Sequence, residues 1–397
     1  MSNTVYASQR FVKTTQGVEF AVDFGLADAA VQTVWWRVRG PSEVLPNEPH
    51  NADLALTSLL FLAMRRRTDL HIRGSVSRSL LDRAERFMQI WSLWRPDEFG
   101  TVQLSADHEL PDRAPDEARD RMAVCAFSGG VDSACTVLMH SSGLAGRVTR
   151  QLLVGVLIQG FDVGLEDQLA FEITERSCRT MLDDLGIPLS ILQTNWRLDV
   201  CGNWELEHGA GVTSCLKLWE NRVGSLLFGS DEDYSRLVVP WGSHPFPTTL
   251  LAARGIDLVY DGGHLNRTQK VRILADWPEG YNQLRVCWEG EITGKNCGVC
   301  EKCIRTKLNA LVSGKPLPAS LPGRPTTRQV SRIGPMIGLH KGLFDEILDE
   351  AGKAGFNDPL LAAMKVAIAR TKPPIDVRLK RRLKSLRRDL GQRLRRL

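Results

Sequence analysis

Between positions 126 and 133 the chain reads Ala-Phe-Ser-Gly-Gly-Val-Asp-Ser, after the apolar run Met122 to Phe127 and before Ala134-Cys135-Thr136-Val137-Leu138-Met139, which continues as a helix. A buried strand, a two-glycine turn and a helix start form a pocket for an anion. Glycines let main chain approach a ligand closely, because no Cβ intervenes. First-turn N–H groups, unpaired within the helix, point at the ligand with the positive end of the helix dipole. Ser128, Gly129, Gly130, Val131, Asp132 and Ser133 are therefore the candidate phosphate cradle, with hydroxyls at either end. Asp132 is the odd member, since a carboxylate beside a polyphosphate is repulsive unless a cation lies between them. Its presence argues for Mg²⁺, a hard ion that prefers carboxylate and phosphate oxygens. No Walker A loop is present, and the stretch from Gly290 to Gly294-Lys295-Asn296 has the wrong spacing and lacks the hydroxyl.

Four of the nine cysteines lie close together: Cys287, Cys297, Cys300 and Cys303. Two Cys-x-x-Cys steps share Cys300 and bring three thiolates to one point; Cys287 from the preceding loop completes a tetrahedral set suited to structural Zn²⁺. An iron–sulfur cluster is the other use of four cysteines. Cys287 is the least secure ligand, and His264 is a possible substitute. Disulfides are disfavoured, because no secretory signal is apparent. Cys125, Cys135, Cys178, Cys201 and Cys215 are scattered among apolar neighbours and read as small core residues.

Ser128 to Ser133 resembles the PP-loop of the ATP pyrophosphatase superfamily, whose members cleave ATP between the α and β phosphates. The loop followed by Cys-x9-Cys-Gly-x-Cys-x-x-Cys is similar to the 7-cyano-7-deazaguanine synthase (QueC) family, over residues 121 to 312. That resemblance implies ATP as substrate, Mg²⁺ and Zn²⁺ as metals, and a 7-carboxy-7-deazaguanine-type acid that is adenylated and passed to an amine. It also implies a lysine presented to the nucleotide phosphates by the segment Arg267-Thr268-Gln269-Lys270-Val271, so Lys270 joins Asp132 as a catalytic candidate. Where the family carries Pro-x-Arg-Asn, this chain has Val239-Pro240-Trp241-Gly242-Ser243-His244-Pro245, which leaves the acid open. His244 reads either as an acid–base group or as a turn histidine with structural hydrogen bonds.

These residues need a scaffold. The chain has 397 residues, 43% of them apolar and 24% charged, the composition of a soluble globular protein of two or three domains. The longest apolar stretch, Leu59 to Met64, is too short to span a bilayer, and the first residues show no targeting pattern, so a cytoplasmic protein without membrane contact is expected. The net charge of +5 is uneven: Arg378 to Leu397 carries +9 and the rest −4. Leucines recur at helical spacing through that tail, which suits either a helix docked on its own protein or a contact with a protein or nucleic-acid partner.

The expected fold class is α/β: a doubly wound parallel sheet of the PP-loop type over residues 121–312, an N-terminal α+β accessory domain over 1–115 and a helical appendage with the basic tail over 313–397. In the first unit Val5 to Val12, Val18 to Phe24 and Val31 to Val38 read as strands, and Ala52 to Arg66 and Ser77 to Trp94 as helices. Trp35, Trp36, Trp91 and Trp94 read as core. Pro111 to Arg121 reads as the linker. In the second unit strands are expected at Leu152 to Ile158, Leu189 to Thr194, Ser225 to Phe228 and Ile256 to Tyr260, and helices at Asp167 to Leu185 and Gly211 to Val223. Ligands of such sheets bind beyond the carboxyl ends of the strands. That places Gly160 and Phe161, Asn195 to Arg197, Gly229 and Ser230, and Asp261 to His264 at the rim around ATP.

The expectation is an ATP-dependent synthetase that adenylates a carboxylate, releases pyrophosphate and forms an amide with ammonia or a protein amine. The additions at both ends suit a QueC-like enzyme of a bacterial defence system. QueC-type nitrile synthesis, sulfur transfer to tRNA and a non-catalytic nucleotide sensor are the rival readings.

Overall fold

The computed structural model describes residues 4–27, 29–287, 293–334 and 339–370. The basic stretch Arg378 to Leu397 lies outside the described residues. The described strands are β1 (Thr4–Thr14), β2 (Gly17–Leu26), β3 (Gln32–Arg39), β4 (Asp69–Ser77), β5 (Leu104–Leu110), β6 (Met122–Ala126), β7 (Gln151–Gln159), β8 (Leu189–Thr194), β9 (Ser225–Gly229) and β10 (Asp257–Asp261). They form one mixed, mostly parallel sheet in the order β10-β9-β6-β7-β8-β3-β2-β1-β4-β5. The protein is therefore α/β, with further helices at its C-terminal end. No described helix is long and apolar enough to cross a membrane.

The central strands are short and apolar on both faces. Ala123, Val124 and Cys125 of β6, Val154 to Leu157 of β7 and Ser225 to Phe228 of β9 are all buried. Parallel strands covered on both faces read in this way. Helix Val131–Ser141 follows β6, and helix Gln168–Asp184 follows β7 and buries Ala170, Phe171, Thr174, Cys178, Met181 and Leu182 on one face. From β6 the chain runs outward through β7 and β8, then returns to the other side of β6 for β9 and β10. The strand order thus reverses between β6 and β9. At such a reversal the connecting loops part and leave a crevice beyond the strand ends.

The N-terminal unit is not set apart by a break in the sheet. β3 pairs antiparallel with β8, Trp36 opposite Thr194 and Arg39 opposite Ile191. Asn195 extends this seam: its Oδ1 accepts from Trp35 N at 2.8 Å, and its Nδ2 donates to Thr33 O at 2.9 Å. The indole of Trp196 donates to Ser58 O at 2.8 Å, and that of Trp219 to Val44 O at 2.7 Å. One apolar core runs through both units, with Trp36, Phe61, Trp91, Trp196 and Trp219 fully buried in it. The stretch expected as a linker is anchored as well, since Arg113 Nη1 donates to Glu220 O at 2.6 Å and Val223 O at 3.0 Å.

Two strands in the N-terminal unit, β4 and β5, had no sequence signal. β4 is interrupted by Gly74, where its pairing with β5 slips register. β5 is the sheet edge, with Ser105, Asp107, His108 and Glu109 exposed, so its composition is that of a loop. Charged edges of this kind discourage pairing with other chains.

A buried charge cluster locks the two units together. Lys217, on helix Trp204–Lys217, lies 2.9 Å from Glu220 and 4.0 Å from Asp53 at the start of helix Asp53–Arg66. Asp53 and Lys217 side chains are wholly buried. Burial pushes the Asp53 carboxyl up to about 6, with Lys217 opposing that shift. Removing one member of a buried ionic group leaves uncompensated charge, which costs about 3 to 5 kcal/mol. Lys217→Met is accordingly expected to destabilise the fold by about that amount in urea unfolding, whereas Lys315→Met, at a half-exposed pair, should change it by less than about 1 kcal/mol.

Candidate functional site

The Ser128–Ser133 turn lies at the carboxyl end of β6, beside the reversal between β6 and β9. Gly129 has φ +71°, a conformation that side chains with a Cβ rarely adopt. Ser128 is exposed, Gly130 caps the helix, and Ser133 is buried beneath the turn. Ser128 N donates to Ser133 Oγ at 3.3 Å, and Ser133 Oγ donates to Gly130 O at 3.3 Å. These bonds brace the turn from below and leave its outer face to a ligand. Gly229, at the end of β9, fixes where the helix begins: a Cβ there would stand 2.5 Å from the Asp132 carbonyl carbon. The helix start therefore rests directly on the neighbouring strand.

Asp132 is held differently from what the sequence implied. Its Oδ2 accepts from Arg267 Nη1 at 2.7 Å, and its Oδ1 lies 3.3 Å from Lys270 Nζ. Burial pushes the carboxyl up, but Arg267 and Lys270 more than offset this and hold it at about 2. The argument for Mg²⁺ rested on a carboxylate whose charge nothing balanced; here two cations of the chain balance it. Asp132 thus does not fit as a carboxylate waiting for a metal ion, and no step is assigned to Mg²⁺.

Lys270, on helix Arg267–Leu274, is buried, and its ammonium also donates to the carbonyl and, at 2.7 Å, the hydroxyl of Ser230. Its three donors are all engaged, so Lys270 ties the helix start after β6 to the end of β9. Arg267, one helical turn earlier, was not singled out by the sequence reading. It is buried, and its Nε has no partner among the described residues. Lys302 completes a positive surround. Burial lowers its pKa, Asp162 opposes that, and Arg267 and Arg305 lower it further, so Lys302 feels each of these charges. The i, i+3 spacing of Arg267 and Lys270 was the available signal for Arg267.

The other rim positions divide. Gly160 and Phe161 follow β7, and Phe161 packs against Trp204 at 4.9 Å between ring centroids. Arg197 stacks over Trp204 at 4.3 Å and donates to Phe161 O at 2.6 Å. His208 and Trp241 continue the aromatic wall, 5.3 Å apart. Asn195 and Trp196, expected at the rim, are instead engaged in the seam with the N-terminal unit. His244 contacts Trp94 at 5.2 Å and accepts from Phe246 N at 3.2 Å, a capping role. Asp261, ending β10, receives the Nε2 proton of buried His140 at 3.3 Å, because His140 Nδ1 accepts from Arg150 N at 2.9 Å. His264 is exposed and away from the sulfur cluster.

Cys287, Cys297, Cys300 and Cys303 bring their four sulfurs within 4.8 Å of one another. Cys287 to Cys300 is 3.7 Å and Cys297 to Cys303 is 3.9 Å. A tetrahedral ion with metal–sulfur bonds of about 2.3 Å needs sulfurs roughly 3.8 Å apart, so the set can bind a metal such as zinc. A polynuclear cluster spreads its thiolates over several irons and holds them farther apart. The four cysteines reach the Ser128–Ser133 turn through one short segment. Asn296 Oδ1 accepts from Val286 N at 2.8 Å and Cys287 N at 3.1 Å, and Arg285 N donates to Gly129 O at 2.8 Å. Cys300 also caps helix Glu301–Val312, which carries Lys302 and Arg305. A metal held there would brace both the segment that reaches the turn and the helix that carries Lys302 and Arg305.

No family model, no curated protein and no solved structure matches the chain.

Cys300→Ser is expected to remove the bound metal, measured by elemental analysis, and to lower the melting temperature by at least about 5 °C, as loss of a few kcal/mol would. It should also weaken ATP uptake in calorimetry, because Arg285 N then no longer holds Gly129 O. Unchanged metal content would contradict the site.

Proposed function

We propose that the protein is an ATP-dependent synthetase that adenylates a carboxylate and transfers the acyl group to an amine. The observation that carries this reading is the placing of the Ser128–Ser133 turn at the crevice between β6 and β9, with Arg267, Lys270 and Lys302 around it. A triphosphate on the turn would meet helix N–H groups on one side and these cations on the other. The carboxylate oxygen of the second substrate attacks the α-phosphorus. The bond from the α-phosphorus to the bridging oxygen breaks, and pyrophosphate takes the electron pair. Arg267 and Lys302 stabilise the charge that appears there, as fixed charges in a water-poor site do. Asp132 holds the Arg267 guanidinium in place rather than reacting.

The resemblance to the QueC family supports a 7-carboxy-7-deazaguanine-type acid. Sulfur transfer draws no support from the scattered cysteines: burial pushes the Cys135, Cys178 and Cys201 thiols up to about 12, where they are poor nucleophiles. A zinc-type ion in the four-cysteine centre would serve as a structural clamp. A role in anti-phage defence follows from the resemblance alone.

The reading predicts AMP and pyrophosphate when the protein is mixed with ATP, Mg²⁺, 7-carboxy-7-deazaguanine and ammonium; release of ADP, or no ATP uptake, overturns it. Asp132→Asn should cut pyrophosphate release about 100-fold or more, by freeing Arg267 and Lys270 from their anchor, with the melting curve still cooperative. Full activity of that variant would remove Asp132 from the site.

A further inference from the structure

A cavity opens beside Lys270 and Arg267, the two residues that also hold Asp132 of the Ser128–Ser133 turn. Its walls are the segment after β9 (Asp231, Glu232, Asp233, Arg236), the two cations themselves, and Gly342, Leu343 and Glu346 of helix Leu339–Lys353. That helix is seated on the catalytic segment: Thr268 N and Oγ both donate to Glu346 Oε1 at 3.0 Å, and Asn266 Nδ2 donates to Glu350 Oε1 at 3.0 Å. The C-terminal appendage therefore forms one wall of a chamber that adjoins the proposed site of adenylation.

The cations of this chamber have carboxylate partners. Arg236 pairs with Asp349 at 2.6 Å, and Arg267 and Lys270 pair with Asp132. Most of its carboxylate oxygens have donors too. Asp231 accepts from Trp241 Nε1 at 2.6 Å, Ser243 Oγ at 2.8 Å and Tyr260 Oη at 2.9 Å, and Asp233 accepts from Ser235 N at 2.9 Å. Glu232 stands apart. It is 5% exposed; its Oε2 accepts from Val238 N at 2.9 Å, while its Oε1 is buried with no partner among the described residues. A buried carboxylate oxygen without a donor is costly, so the chamber is built to receive one.

We infer that Glu232 is the anchor for the acceptor amine, a small primary ammonium group that enters beneath helix Leu339–Lys353. This inference rests on the proposed adenylation. Burial, with Asp231 and Asp233 adding to it, raises the Glu232 carboxyl to about 7. It can therefore hold an ammonium ion and also take a proton from it. In the transfer step Glu232 Oε1 removes one proton from the ammonium nitrogen. The freed lone pair forms the C–N bond at the acyl carbon, the bond from that carbon to the AMP oxygen breaks, and AMP leaves with the electron pair. The second proton leaves the new amide nitrogen for solvent. A carboxylate among acidic neighbours draws in cations and repels the polyphosphate, so the amine and not the triphosphate is the group that settles at Glu232.

The test uses the full chain, with methylammonium as the probe in saturation-transfer NMR and ATP binding followed by calorimetry. Glu232→Gln should weaken methylammonium binding about tenfold or more, as loss of a charge-assisted hydrogen bond does, while ATP binding stays within about twofold. Should that variant fail to melt cooperatively, Glu232→Asp, which keeps the charge but withdraws the oxygen, is expected to show weakened binding in a folded protein. Equal methylammonium affinity in a folded variant and the parent overturns the inference, as does a parent that binds ATP but no methylammonium. Glu232-dependent methylammonium binding in a protein that takes up no ATP would sink the adenylation reading and leave the amine site standing.

Discussion

The first turn of helix Val131–Ser141 lies against Gly229 with no room for a side chain between them, and Asp132 of that turn is gripped by Arg267 and Lys270. Lys270 reaches across to Ser230 and so welds the helix start to the neighbouring strand. This joint sits where the strand order turns back on itself. Connections leave β6 and β9 in opposite directions there, and beyond the paired strand ends Lys270 bridges Asp132 and Ser230. An Asp–Arg–Lys cluster suits the task because the carboxylate fixes both cations and one positive charge is left over. The half-buried carboxylate is stabilised by two donors, and it fixes both cations in turn. Any ligand of the turn meets donors that are already oriented, so little ordering remains to oppose binding.

The four-cysteine centre acts on the same joint from the opposite side. It reaches the turn by main chain, through Arg285 and Gly129, and reaches the cation cluster through helix Glu301–Val312. The C-terminal helices then bury Ile304, Leu308 and Val312 of that helix in a small core with Phe344, Ile347 and Met364. Metal centre, cation cluster and appendage are thus successive layers around residues 266–270. Loosening any one should be felt at the turn, because the contacts between layers are short hydrogen bonds to buried groups rather than exposed side-chain pairs.

The central unit was legible because its signals are local. A two-glycine turn between an apolar strand and a helix, and cysteines at knuckle spacing, define geometry within a dozen residues. Helix Trp204–Lys217 lies earlier than the expected Gly211 to Val223 and runs through Gly209 and Gly211. In the fold their bare backbones admit the Gly242 carbonyl and the Trp196 ring, contacts from remote segments that sequence periodicity does not record. β4 and β5 were lost for a related reason: an edge strand is partnered on one side only and selects charge over apolar alternation. The seam between β3 and β8 had no local signal either. It depends on Asn195, which reads as a rim residue in sequence and becomes a rung of the sheet only when β3 is beside it.

The correction at Asp132 shows how far residue type can carry chemistry. A carboxylate that is partly withdrawn from water demands positive charge nearby, and residue type alone does not say where that charge comes from. Mg²⁺ and a pair of basic side chains satisfy the same electrostatic requirement, and only the fold brings Arg267 and Lys270, over 130 positions away, to within 2.7 and 3.3 Å of the carboxylate. Glu232 presents the converse case. It has no motif around it, and its neighbours Asp231 and Asp233 make the segment read as a solvated acidic turn. What distinguishes it is that Asp231 is covered by Trp241, Ser243 and Tyr260 while Glu232 is driven inward with one oxygen unmatched. Within the chamber beside the cation cluster, the unmatched Glu232 Oε1 is where a further molecule has the most to contribute.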